Sequence, residues 1–107
     1  MSSSRALEEP AAKYFLEFNL KARKEFDSLA APIRLQLAKK LKTRLSHPRV
    51  EADKLAGMPD CYKIKLRSIG YRLVYQIVEE RLVVLVIAVG KREKNQVYGT
   101  AAIRISH

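Results

Sequence analysis

The spacing of apolar side chains changes along this chain, and each change marks an element. Over residues 13–19, Tyr14, Leu16 and Phe18 alternate with Phe15 and Glu17, which predicts a strand. The period then lengthens. Ala22, Phe26 and Leu29 lie three to four residues apart among charged neighbours, and Ile33, Leu37, Leu41 and Leu45 recur every fourth residue after Pro32, a residue suited to a helix's first turn. This predicts a helical hairpin whose apolar stripe needs a sheet to cover. His47 and Pro48 end the second helix, and a loop punctuated by Gly57 and Pro59 follows over residues 50–60.

Residues 61–66, 71–78 and 81–89 are rich in Val, Ile, Leu and Tyr and predict three strands, with turns at 68–70 and at Glu79 and Glu80. The last run is apolar on both faces, as in a strand central to the sheet and covered on both sides. Residues 95–105 predict a weak helix or irregular tail, because Gly99 interrupts them. The order is β-α-α-β-β-β-(α), an α+β class in which a four-stranded sheet packs on a two-helix hairpin.

Length and charge narrow the function. With 107 residues, 48% of them hydrophobic, the chain makes one core. Residues 13–107 are expected to form a single domain, and the polar residues 1–12 a flexible N-terminal tail. That tail lacks the apolar centre of a signal peptide, and the run 82–89 is too short to cross a bilayer, so a cytoplasmic protein without membrane contact is expected. Lysine and arginine number 21 against 11 acidic residues, a net charge of +10, which favours RNA, DNA or an acidic protein segment as partner. The single cysteine, Cys61, excludes an internal disulfide. Neither it nor His47 and His107 has metal-ligand spacing, so no metal or cofactor is expected.

The candidate chemistry comes from register. A turn over residues 67–70 sets Leu66 opposite Tyr71, which pairs Lys65 with Arg72 and Lys63 with Val74 on one face. Tyr62, Ile64, Leu66, Leu73 and Tyr75 then take the opposite, core face. Cations directly across a strand pair repel, at roughly 0.2 to 1 kcal/mol, a cost that a fold indifferent to function would avoid. A lone lysine there would be read as solvated. Three converging cations instead lower a lysine's pKa and form a phosphate site. Arg92, next to Gly90 and Lys91, follows the central strand and can reach over the sheet face. Tyr98 comes six residues later, where stacking on a base and simple packing on the sheet are about equally compatible with the spacing. The same face is expected to carry Val74, Leu85, Ile87 and Val89, an apolar floor that the C-terminal segment or a partner must cover. The helix residues Arg34, Lys39, Lys40, Lys42 and Arg44 read as a solvated face or, for ribosomal RNA, a docking face.

Residues 57–68 (GMPDCYKIKLRS), 70–76 (GYRLVYQ) and 89–93 (VGKRE), together with Tyr98, closely resemble the RelE family of bacterial toxins. The resemblance runs from Lys13 to about Tyr98 and is strongest from Glu51 onward. Ala56 departs from it, standing where the family carries a basic residue. It implies the RelE-like microbial RNase fold, with a small mixed, mostly antiparallel sheet on two helices. It also implies a type II toxin that cuts messenger RNA as a ribosome-dependent endoribonuclease in the A site of the 70S ribosome, beside 16S rRNA. The functional set it implies is Lys63, Lys65, Arg72, Arg92 and Tyr98, with Arg67 and Tyr71 as secondary contributors; Lys91 and Lys94, beside Arg92 in the sequence, are further RNA-binding or secondary candidates. The implied partners are a RelB-like antitoxin, which displaces the C-terminal segment, and operator DNA bound only jointly with that antitoxin. Two other readings compete. One is a non-catalytic basic nucleic-acid binder or regulator, in which the cations only neutralise phosphate. The other is a free RNase using His47 and His107, which the positions of those residues at a helix end and at the last residue disfavour.

Overall fold

The computed structural model describes residues 13–93 and 96–105; the expected tail over residues 1–12, Lys94 and His107 lie outside them. The elements run β1 (Phe15–Phe18), α1 (Leu20–Asp27), α2 (Ala31–Ser46), β2 (Cys61–Leu66), β3 (Tyr71–Val78), β4 (Val83–Lys91) and α3 (Gln96–Ile105). Local chemistry sets several boundaries. Asn19 ends β1 and caps α1, its side-chain oxygen accepting from the amides of Lys21 at 2.9 Å and Ala22 at 3.3 Å. Pro32 lies in the first turn of α2, where its missing N–H costs nothing. β4 starts at Val83, two residues later than the apolar run suggests. Residues Glu79–Arg81 form a 3-10 turn closed by Leu82 in the left-handed region, φ 53°, with its N–H donating to Glu79 O at 3.0 Å.

The sheet order is β1-β4-β3-β2, with β1 parallel to β4 and the other pairs antiparallel. Lys65 lies opposite Arg72 and Lys63 opposite Val74, the register read from the alternation. One face carries Tyr62, Ile64, Leu66, Leu73, Tyr75, Val84 and Val86 against α1 and α2, with Ala22, Leu37 and Leu41 buried between. Burying each of these larger side chains is worth about 1.5–3 kcal/mol, so this face carries much of the stability.

The other face holds a smaller core of Cys61, Val74, Ile87 and Ala88, covered by Val97 and Ala101 of α3. The C-terminal residues are therefore a helix in spite of Gly99, because Val97, Ala101 and Ile105 recur at helical spacing and find apolar partners on the sheet. The expected floor needs one correction. Pairing slips between Val74, opposite Ala88, and Tyr75, opposite Val86, so Ile87 is an extra residue in β4. Ile87 and Ala88 both face α3, and Val89 turns to the helix-hairpin side instead of joining Val74 and Leu85.

Candidate catalytic site

The cation cluster lies on the α3 side of the β2–β3 ladder, at the end where the two strands join. Lys63 and Lys65 project from β2 half-buried, and Arg72, 6% exposed, is the one buried charged side chain among the described residues. Arg72 donates from Nη1 to its neighbour's carbonyl, Tyr71 O, at 3.0 Å. Among the described residues, no carboxylate makes a salt bridge with Lys63, Lys65 or Arg72. The acidic group that acts on Lys65, Asp53, is itself held by Arg44 at 2.6 Å. Repulsion from the neighbouring cations therefore outweighs the attraction of Asp53. Chiefly through Lys63, then burial, Arg67 and Arg72, it holds the Lys65 ammonium below the ordinary lysine pKa.

Backbone geometry brings Arg92 to the same end. Gly70 adopts φ 68°, a left-handed turn that glycine enters without strain, and its carbonyl accepts from Arg92 N–H at 2.7 Å. The residue after β4 is thus pinned to the turn that joins the two cationic strands. Its side chain is exposed, as are those of Lys91, opposite Tyr71 in the ladder, and Arg67, in the 3-10 turn Arg67–Ile69. Tyr98 is half-buried on α3, packed against the smaller core.

Other candidate residues are placed elsewhere. Tyr71 packs against the helix-side core, because the alternation that sends Arg72 to one face sends its neighbours to the other. Of the helix cations, Lys39, Lys40 and Lys42 are exposed, whereas Arg34 and Arg44 have internal partners. Arg34 donates to the carbonyls of Asp27 and Leu29, closing the end of α1. Arg44 donates to Asp53 at 2.6 Å, to Tyr75 Oη at 2.8 Å and to Lys63 O at 3.3 Å, under the strand that carries the lysines. Its spacing from Leu37 and Leu41, seven and three residues, puts it on the buried flank of α2, a signal present in the sequence.

His47 is exposed at the end of α2, far along the chain from any partner acid or base in the cluster. Burial, then Asp60, pushes the Cys61 thiol up to about 11, which leaves it a poor nucleophile. Among the described residues no three His, Cys, Asp or Glu side chains gather as metal ligands would, and no helix is long and apolar enough to cross a membrane. A groove of about 560 Å³ lined by Glu51, Lys54, Leu55, Ala56, Gly57, Met58 and Pro59 contains no member of the cation cluster. An open cationic face suits a polymer backbone better than such a groove does.

Known proteins share this fold. Residues 16–96 match the family model described as the ParE toxin of the type II toxin–antitoxin system parDE. The chain is 60% identical over 92 residues to the mRNA interferase toxin RelE of Escherichia coli K12, covering 86% of this chain and 97% of that one. An E. coli RelE double mutant solved in the free state superposes with a TM-score of 0.81 at 58% identity, covering 87% of this chain and 98% of that one. RelE in the intact E. coli RelBE toxin–antitoxin complex superposes at 0.73 with 60% identity, covering 76% and 99%. The strand register, the cations that it gathers and these likenesses lead to one statement: this chain belongs to the RelE toxin family.

Proposed function

We propose that this protein is the toxin of a type II toxin–antitoxin pair and an endoribonuclease that cleaves messenger RNA in the ribosomal A site, without a metal or cofactor. One observation carries the reading: Lys63, Lys65 and Arg72 crowd one sheet face with no salt-bridged carboxylate among the described residues, and Arg92 is pinned to the same end. Such a cluster is relieved by a phosphate whose negative charge grows during reaction, so it favours the transition state over the ground state.

The reaction starts with loss of the 2'-hydroxyl proton and in-line attack of that oxygen on the adjacent phosphorus. The bond from phosphorus to the 5'-oxygen breaks and that oxygen takes up a proton, giving a 2',3'-cyclic phosphate and a 5'-hydroxyl end. DNA, lacking the 2'-hydroxyl, is not cut. Lys63, or Tyr98 acting with it, takes the first proton; Lys65 or Arg92 delivers the second; Arg72 and Arg92 stabilise the phosphate. The lowered pKa of Lys65 makes it a stronger acid than an ordinary lysine. With no histidine or carboxylate in the cluster the set is a weak one at neutral pH, and the ribosome supplies the in-line substrate geometry that free RNA lacks. Exposed Lys39, Lys40 and Lys42 contribute to docking on 16S rRNA. The RelBE complex of the E. coli relative supports a RelB-like antitoxin as partner. Joint binding of operator DNA with that antitoxin and action in the cytoplasm complete the proposal.

The test is cleavage of messenger on translating ribosomes, with naked RNA as control. Lys65→Ala combined with Arg92→Ala is expected to abolish cutting and to leave ribosome and antitoxin binding nearly intact. Full cutting by that variant refutes the catalytic assignment. Binding without cutting by the unaltered protein would point to a non-catalytic nucleic-acid binder.

A further inference from the structure

The bulge in β4 leaves a polar gap, and two side chains from elements distant in sequence fill it. β1 ends at Phe18, opposite Val86, so beyond that point β4 has no strand on its β1 side. Side chains replace the ladder there. Val89 N–H donates to Glu25 Oε1 at 3.1 Å, and Ile87 C=O accepts from Arg104 Nη1 at 2.8 Å. The two side chains also join each other in a fork, Arg104 Nη1 to Oε1 at 3.0 Å and Nη2 to Oε2 at 2.8 Å. Arg104 is 13% exposed and Glu25 34%. One ion pair therefore ties α1, the β4 bulge and the last turn of α3 together, and its bonding to Glu25 holds the Arg104 guanidinium above its ordinary pKa.

Apolar packing alone would allow α3 to slide. Its buried contacts are Val97 and Ala101, two small side chains, with Tyr98 and Ile105 partly covered. A bidentate charged contact fixes register in a way that such packing does not. We infer that Glu25 and Arg104 are a positioning pair: they seat α3 on the bulge of β4 and thereby hold Tyr98 on the smaller core, whose Val74 stands opposite Lys63. The seating of α3 stands on the geometry alone; its service to RNA cleavage rests on the function proposed above.

Arg104→Met, Glu25→Gln and Arg104→Lys test the inference in the full-length protein, read by amide hydrogen exchange and by ribosome-dependent cleavage. Arg104→Met and Glu25→Gln should each speed exchange of the α3 amides by about tenfold or more while β3 amides keep their rates. In cleavage, kcat should fall with KM little changed, and Arg104→Lys, which keeps the charge but not the fork, should recover part of both effects. Unchanged α3 exchange in Arg104→Met and Glu25→Gln overturns the pair as a seat for the helix. Faster exchange with unaltered kcat overturns its role in holding Tyr98 for reaction. If the unaltered protein cuts no messenger on ribosomes, the functional reading falls instead, and the exchange rates still decide whether the pair seats α3.

Discussion

Replacing Arg44 by methionine separates a cation that builds the site from cations that meet a partner. Arg44 is 14% exposed, and its partner Asp53, 25% exposed, lies 2.6 Å away. Removing one member of a fully buried pair costs about 3–5 kcal/mol, most of it the penalty of the charge left behind. Asp53 retains contact with water, which reduces that cost to about 2 kcal/mol. The guanidinium also lies 5.7 Å from the Tyr75 ring centroid, a contact worth about 0.5–1 kcal/mol in a partly desolvated setting. Methionine preserves most of the aliphatic packing. The expected loss is about 2–3 kcal/mol, a fall in Tm on the order of 10–20 °C for a domain of this size. Urea unfolding measures it, and a double-mutant cycle with Asp53→Asn should return a coupling of about 1–2 kcal/mol. Lys40→Met, on the same helix but exposed, should stay within about 0.5 kcal/mol of the parent. A loss below about 0.5 kcal/mol for Arg44→Met, or a coupling near zero, would refute the structural assignment and return Arg44 to the docking face.

Two further outcomes bear on charge. Lys65 should deprotonate below the ordinary lysine value of 10.5, and because Lys63 is the largest cause, Lys63→Met should move its midpoint upward, as followed by the carbon-13 shift of Lys65 Cε; an unmoved midpoint would show that the two ammonium groups do not interact. Replacing Lys39, Lys40 and Lys42 together by alanine should weaken ribosome association and flatten its salt dependence by about one unit of log–log slope per lost phosphate contact, with unfolding free energy nearly unchanged; an unaltered slope places the docking face elsewhere.

The β2–β3 register could be read from the sequence because each strand has one wholly apolar face and carries its cations only on the other, so a strand turned over by a one-residue slip would bury its cations in the helix-side core. The bulge in β4 left no such trace. That strand is apolar on both faces, and a change of phase at Ile87 exchanges one aliphatic side chain for another. The misplacement of Val89 follows directly. The fourfold repeat of Ile33, Leu37, Leu41 and Leu45 located α2 and put Arg44, three residues after Leu41, at the edge of its apolar stripe, but an arginine at a helix edge is solvated or buried according to the partner that tertiary structure offers. Glu25 and Arg104 lie 79 residues apart and meet only through β4, so no local pattern could join them.

The α3-facing side of the sheet is divided by charge, and the division explains why a helix and a reactive surface can share it. Along β3, Arg72 and Val74 point to this side in succession, which sets the border within two residues. Toward β4 the surface is Val74, Ile87 and Ala88, and an apolar helix gains by covering it. At the end where β2 and β3 join it is Lys63, Lys65 and Arg72, and a helix extended over the half-buried lysines would have to strip water from cations that have no salt bridge among the described residues, at a cost of several kcal/mol per ion. α3 therefore packs on β4 and β3 and leaves Lys63 and Lys65 half-buried, with half-buried Tyr98 contributed by the helix itself. Arg104 and Glu25 anchor the far end of that helix on β4, so the helix is held by one end and by its apolar face while half-buried Lys63 and Lys65 and exposed Arg92 keep contact with solvent.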